Sequence, residues 1–284
     1  MGDLVLALGV LTLAALGLFL LTVRWTRCWS PRACDLAGLA VVVLLLVYIR
    51  TLWYDLRLAH WLPLASLVVL GNWLPLFAAV LAGLVWNRTS DRPLRRRIAV
   101  LELTAAGILA AIYPLLGASP ACGERWDRLN TCLQTTPYTC SPAAAATLLR
   151  RHGIAASEQE MARLCLTRKG TSWQGLYRGL KLKTAGTPWD VEVCRLPAAE
   201  LLASRSGPMI LSVGLGRSAA ADGAYTREFG WVPGVSHSVV LESVSETGCA
   251  VIADPSCEMC REYWDRRMLA ALWRGYGLRL VPRR

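Results

Sequence analysis

Residues Gln134 to Pro142 read Gln-Thr-Thr-Pro-Tyr-Thr-Cys-Ser-Pro and run into the Ala-rich stretch Ala143 to Arg151. This order places Cys140 at the N-terminus of a helix, where unpaired backbone N–H groups and the positive end of the helix dipole favour thiolate over thiol. Only the thiolate is a good nucleophile, so Cys140 is the first candidate for chemistry. A cysteine nucleophile needs a base close by, and the base needs an orienting partner. Of the three histidines, His60 lies in an apolar region and suits interfacial packing, while His152 closes the helix that Cys140 opens, where the dipole favours an imidazole. His237 remains, with the carboxylate of Asp254 further along.

Those groups are far apart in sequence, so the elements between them must bring them together. Pro142 suits the first turn of a helix and Gly153 the position past its end, which predicts a helix over 142–152. Ser157 with Glu160 three residues on is a capping box, followed by Met161, Leu164 and Cys165 at helical spacing. Thr171 and Ser172 cap a third helix with Trp173, Leu176, Tyr177 and Leu180 on one face, and Pro197 to Ala203 makes a short fourth. Strands follow: Met209 to Val213, Ser236 to Val244, Cys249 to Ala253 and Tyr276 to Val281. Helices first and an antiparallel sheet afterwards is an α+β pattern. Residues 245–248 form a hairpin turn. If that turn centres near Glu246 and Thr247, paired residues sum to about 493, which sets His237 opposite Ser256 and beside Asp254.

The motif order resembles the bacteriocin-processing, double-glycine-leader peptidases, a papain-like cysteine peptidase family. The matching segments are Gln134, Cys140, Gly170-Thr171-Ser172, His237-Ser238-Val239-Val240-Leu241, Ala253-Asp254-Pro255 and the closing stretch Leu272 to Leu278. The resemblance covers about residues 133–281. It implies a papain-like fold with Cys140 as nucleophile, His237 as acid/base and Asp254 as its orienter. Gln134 and the backbone N–H of Cys140 would form the oxyanion hole. It also implies cleavage of a polypeptide through an acyl-thioester, after small residues such as a glycine pair.

The chain departs from that family in three ways. Thr139-Cys140-Ser141 stands where the family has Asp-Cys-Gly. About twenty extra residues between Gly214 and His237, including Trp231, suggest a lid or part of a specificity pocket. Many relatives are fused to transporter modules, which points to an export or transporter partner, but this chain has no Gly-rich nucleotide-binding loop.

The composition divides at about residue 118. The first part, 1–118, is rich in Leu, Ala and Val and holds four apolar stretches, Leu4 to Val23, Leu36 to Trp53, Trp61 to Trp86 and Ile98 to Leu116. At about 1.5 Å per residue, roughly 20 residues cross a hydrocarbon core of about 30 Å. The second stretch is the shortest, and reaches that length if Arg50 snorkels and Trp53 and Tyr54 sit at the interface. The first stretch lacks a basic leader and a cleavage site, so it is expected to stay. Glu102 and Asn72, costly in lipid, are expected at helix interfaces. Residues 119–284 have globular composition and suffice for one domain.

Loops one and three carry Arg24, Arg27, Arg32, Arg88, Arg92, Arg95, Arg96 and Arg97, against Arg50 and Arg57 in loop two. The positive-inside rule then puts loops one and three in the cytoplasm and the domain on the exoplasmic side, as expected of a bacterial cell-membrane protein. The net charge of +11 is spread through both parts without a basic stripe interleaved with aromatics, so nucleic acid is not expected as a partner; the apolar stretches imply a lipid bilayer, and the resemblance implies a polypeptide substrate.

Eight of the ten cysteines lie in the domain, a density that fits an oxidising compartment, with Cys122–Cys132 or Cys257–Cys260 as candidate disulfides. Cys165 and Cys194, in apolar contexts, are expected to be buried thiols. One Cys-x-x-Cys pair with no spare histidine is half a zinc site, so no metal and no cofactor is expected. The rival readings are a membrane thiol–disulfide oxidoreductase, in which Cys257 and Cys260 matter and His237 does not, and a non-catalytic peptide-binding domain of the same fold.

Overall fold

A computed structural model describes residues 2–53, 55–204, 207–216, 223–259 and 261–283. It divides into two compact units, Met1–Leu116 and Gly117–Arg284.

The first unit is helical: α1 (Gly2–Trp25), α2 (Pro31–Thr51), α3 (Leu67–Leu70), α4 (Leu74–Arg88) and α5 (Pro93–Ile112). Four segments are long and apolar enough to cross a membrane, Gly2–Trp25, Pro31–Thr51, Leu67–Arg88 and Pro93–Leu115. The second is longer than its apolar run because Ser30 caps it by accepting from the Ala33 N–H and Pro31 opens it, which adds a polar first turn. The third segment breaks between α3 and α4. The backbone groups freed there are met by side chains, as they must be in an apolar setting. The Tyr48 hydroxyl donates to Gly71 O (2.5 Å) and accepts from Trp73 N–H (3.0 Å). Asn72 is buried and its Nδ2 donates to Ala110 O at 2.7 Å, the interface role expected of it. Glu102 differs from expectation: it lies on the exposed face of α5.

The second unit is α+β. A short ribbon, β1 (Arg125–Trp126) with β2 (Cys132–Leu133), precedes three helices, α6 (Cys140–Arg151), α7 (Glu158–Leu164) and α8 (Trp173–Lys183). Then come β3 (Trp189–Cys194), α9 (Ala198–Ala203), β4 (Met209–Val213), α10 (Gly223–Arg227), β5 (His237–Val244), β6 (Ala250–Ala253), β7 (Glu262–Trp264), α11 (Arg266–Leu272) and β8 (Trp273–Pro282). The six-stranded sheet runs β3-β8-β4-β5-β6-β7, antiparallel throughout. Ser157 and Ser172 cap α7 and α8 as expected, accepting from Glu160 N–H and Gly175 N–H. The final strand starts at Trp273, earlier than its apolar run, because Val213 pairs with Trp273 across a bulge in β8. Strands β3 and β7, at the two sheet edges, are additions to the expected set.

Helix α6 packs across β4 and β5. Residues 141–149 are all buried, and the four alanines 143–146 let the helix approach the sheet closely. The buried hydroxyl of Thr147 donates to Ala143 O (3.0 Å) and accepts from Cys132 N–H (2.9 Å), tying the ribbon to the helix. On the other side of the sheet a core of Met209, Leu211, Val239, Leu241, Ile252 and Trp264 closes the sandwich.

Gly277 in β8 marks the tightest backbone approach in the sheet: a Cβ there would stand 2.4 Å from Ile210 O, and neither strand can retreat without breaking its ladder. Gly277→Ala is expected to destabilise the domain by about 1–3 kcal/mol, as overpacking does. Thermal unfolding of the detergent-solubilised chain measures this, and an unchanged Tm contradicts the register.

Candidate active site

The hairpin of β5 and β6 brings the imidazole to the carboxylate. Val240 pairs with Ala253 and Leu241 with Ile252, both summing to 493; a bulge then shifts the turn end to Ser243 with Val251. The bulge lies between the site and the turn, so the site end keeps the expected register. His237 Nε2 stands 2.7 Å from Asp254 Oδ1, with the carboxylate fully buried and the imidazole nearly so. Two further donors hold Oδ1, the Ser256 N–H and Oγ, each at 2.8 Å. These are the turn contacts that an Asp-Pro-Ser sequence makes to itself.

Helix α6 brings the thiol. The Ser141 and Ser238 hydroxyls hydrogen-bond at 2.8 Å, locking the first turn of α6 to the start of β5 one residue from Cys140 and one from His237. The Ser141 Oγ is also 4.0 Å from Cys140 Sγ. With His237 Nε2 committed to Asp254, Nδ1 is the nitrogen left for the thiol.

The electrostatics follow from these contacts. Burial pushes the Cys140 thiol up, but the charge and hydrogen bond of His237, the Ser238 backbone and the Ser141 hydroxyl outweigh it, and the thiol ends below the ordinary cysteine value. Burial opposes the charge on His237, yet Asp254 and then Cys140 raise it to about 10. Asp254 resists its own burial because His237 and Ser256 hold its carboxyl below the usual range. A thiolate–imidazolium pair with a fixed carboxylate can attack an acyl carbon and protonate a leaving group.

Gln134 reaches the same place through its backbone. Its N–H donates to Pro255 O (2.9 Å), next to Asp254. Its neighbour Thr135 is clamped by the buried Glu158, which accepts from Thr135 N–H (2.8 Å) and Oγ1 (2.7 Å). The Gln134 amide is lightly held, with Nε2 3.3 Å from Thr136 O and a buried Oε1 that has no partner among the described residues. Thr139 does not cap α6 with its side chain, since its hydroxyl is taken by Thr136. No side-chain cap therefore occupies the start of α6, where Ala143 N–H bonds to Thr139 O instead.

The structure gives further residues a place at the site. Trp231 Nε1–H donates to Asp254 Oδ2 at 2.8 Å, and its ring centroid is 4.7 Å from that of His237. Within the segment offered as a lid or part of a specificity pocket, Trp231 is buried against the site. No spacing rule signals this contact, because an indole in an irregular segment has no periodicity. Ser141 and Ser238 stood in the quoted motifs without an assigned role, and Glu158 was marked by nothing.

The cysteines are otherwise placed as follows. Cys122 and Cys132, offered as a disulfide, are both free thiols, each raised mainly by burial, Cys122 to about 11. Cys132 is instead packed under α6 at the ribbon, where its N–H binds Thr147. Cys257 is disulfide-bonded; Cys260 lies outside the described residues. Cys165 and Cys194 are buried free thiols, as expected. Among the described residues no group of three His, Cys, Asp or Glu side chains is placed to hold a metal. His152 binds Leu148 O through Nδ1 and meets the Trp189 ring edge-to-face, and His60 is exposed in the first unit.

Three solved structures are similar to this chain, each over 53% of its length. The peptidase domain of Streptococcus ComA, a bifunctional ABC transporter involved in a quorum-sensing pathway, is 18% identical with a TM-score of 0.41 and is 96% covered. A double-glycine-motif protease from an AMS/PCAT transporter, solved with a leader peptide, is 15% identical with a TM-score of 0.39 and is 89% covered. The peptidase domain of Streptococcus mutans ComA is 18% identical with a TM-score of 0.35 and is 97% covered. They are the kind of protein that the motif order resembles. No protein-family model and no curated protein matches the chain. With identities and TM-scores this low, what the site does has to be argued from its own geometry.

The sign of the coupling is testable. Iodoacetamide should alkylate Cys140 with an acid limb below the ordinary thiol range. His237→Ala should move that limb to higher pH, because the two largest opponents of burial are then gone and only the Ser238 backbone and the Ser141 hydroxyl still favour the thiolate. A limb that stays in place contradicts the pairing.

Proposed function

We propose that this chain is a membrane-anchored cysteine peptidase that cleaves polypeptides through an acyl-thioester, with Cys140, His237, Asp254 and Gln134 as its machinery. The observation that supports it most is the buried His237–Asp254 pair aligned with a thiol whose acidity that pair raises. In this reading the Cys140 thiolate attacks the scissile carbonyl carbon and forms a C–S bond. The oxygen takes up negative charge, which Gln134 Nε2 and the Cys140 N–H stabilise; one such donor is worth roughly 3 kcal/mol. The C–N bond breaks as the amine takes its proton from His237. A water then attacks the thioester and returns a proton to His237, and the acid leaves with the thiolate restored. Asp254 keeps Nδ1 aimed at the sulfur throughout.

The substrate is proposed to present small residues, such as a glycine pair, before the cut. The four apolar segments support anchoring in a bilayer. Most of their side chains face outward, as lipid contact requires. The arginine distribution supports an exoplasmic peptidase domain. The oxidoreductase reading draws less support, because it leaves the His237–Asp254 pair without a task.

Two experiments test this. Cys140→Ala should abolish cleavage of a Gly-Gly-containing leader peptide and covalent labelling by a peptide electrophile, while Tm stays near wild type; labelling that survives contradicts the nucleophile. A reporter fused to the C-terminus should be active only outside the cytoplasm. A cytoplasmic signal overturns the proposed sidedness.

A further inference from the structure

We propose that Trp231 is a positioning residue for the Asp254 carboxylate, delivered by the segment between β4 and β5, so that the working unit is a tetrad. The proposal rests on the peptidase reading above and goes beyond it by giving the segment a task.

The two oxygens of Asp254 are unequally served. Oδ1 receives His237 Nε2, Ser256 N–H and Ser256 Oγ, all from the hairpin and its own turn. Oδ2 receives the Trp231 indole N–H at 2.8 Å. Asp254 is buried, so without that donor Oδ2 loses a partner that solvent does not replace, and a buried acceptor left unpaired carries the full desolvation cost of the group. The carboxylate would then be free to turn towards other donors and carry Oδ1 away from the imidazole. A tryptophan fits this position for two reasons: it supplies a donor with no acceptor, and its bicyclic ring covers the imidazole from the side. That cover keeps water off the ion pair and strengthens it.

The indole is itself fixed from behind. Its backbone N–H donates to Tyr225 O at 2.9 Å. Its ring lies 4.7 Å from Tyr225 and 6.3 Å from Trp264. The Tyr225 hydroxyl and Trp264 Nε1 both donate to Glu262 Oε2, which anchors α10 to the sheet edge. After Trp231 the chain returns to the surface: Val232 and Val235 are exposed, and Gly234 N–H closes the excursion on Leu215 O at 3.0 Å. The described part of the segment therefore enters the domain at Tyr225 and Trp231, which pack against the Asp254 carboxylate and its surroundings.

A merely structural Trp231 and a positioning Trp231 differ in readout. Trp231→Phe keeps an aromatic filler and deletes the N–H. If Trp231 positions Asp254, kcat on a cleavable leader peptide falls about 10- to 100-fold, the range for a hydrogen bond to a charged group, with KM little changed. The acid limb of Cys140 alkylation also moves to higher pH, and in an Asp254→Asn background Trp231→Phe causes no further loss, because it acts only through that carboxylate. Wild-type kcat and an unmoved limb in Trp231→Phe overturn the proposal. Should that variant not fold, benzothienylalanine at 231 keeps the bicyclic ring and removes the donor alone, and the same two readouts decide. Labelling that persists in both Cys140→Ala and His237→Ala would instead defeat the peptidase reading, which separates the two failures.

Discussion

A carboxylate taken out of water needs donors held in place, and in this domain Asp254 is met by three elements that would otherwise have no reason to converge. The strand β5 supplies His237, the turn after β6 supplies Ser256, and the segment before β5 supplies Trp231. With the anion compensated, its charge acts on the imidazole, and the imidazolium in turn draws the thiol towards thiolate. Each group is costly where it stands and is tolerable because of the next. The sheet order serves this chain of dependence, since β5 is central, with β4 on one side and β6 on the other, while α6 crosses it.

Much of this was legible because local chemistry and long-range pairing agree. The hairpin turn fixes the pairing sum, and the sum places His237 beside Asp254 without any knowledge of the rest of the fold. Slippage of the ladder does occur, but as a bulge near the turn, where it costs the site nothing. The helix caps at Ser157 and Ser172 were equally readable, because a side-chain oxygen three residues ahead of an N–H needs no tertiary context.

Other features were not legible, for identifiable physical reasons. Strand β3 has mixed burial and was hidden among polar residues, and β7 is three residues long. The break in the third apolar segment depends on Tyr48 and Asn72 meeting backbone groups from other helices, which hydropathy does not encode. The free thiols Cys122 and Cys132 look like a disulfide by spacing, whereas Cys132 is drawn inward by the ribbon's attachment to α6. Trp231 lies in a stretch whose composition reads as loop, and its value lies in one N–H and one ring face.

Ser141, next to the proposed nucleophile, stands where the family that the motif order resembles has glycine, and its neighbours explain how it can be there. A thiolate only accepts hydrogen bonds, so when Cys140 is ionised the Ser141 hydroxyl serves it by pointing its proton at sulfur. Ser141 then has to accept from Ser238, at 2.8 Å, and Ser238 gives up its single proton. That leaves the Ser238 oxygen with open lone pairs, and directly across the ladder is Ser212, whose buried hydroxyl has no partner among the described residues. Glycine at 141 would strand the Ser238 hydroxyl in the interior, so the residues at 141 and 238 are one feature rather than two. The row of hydroxyls gives the thiolate a second source of stabilisation, reached through β5 and separate from the imidazole.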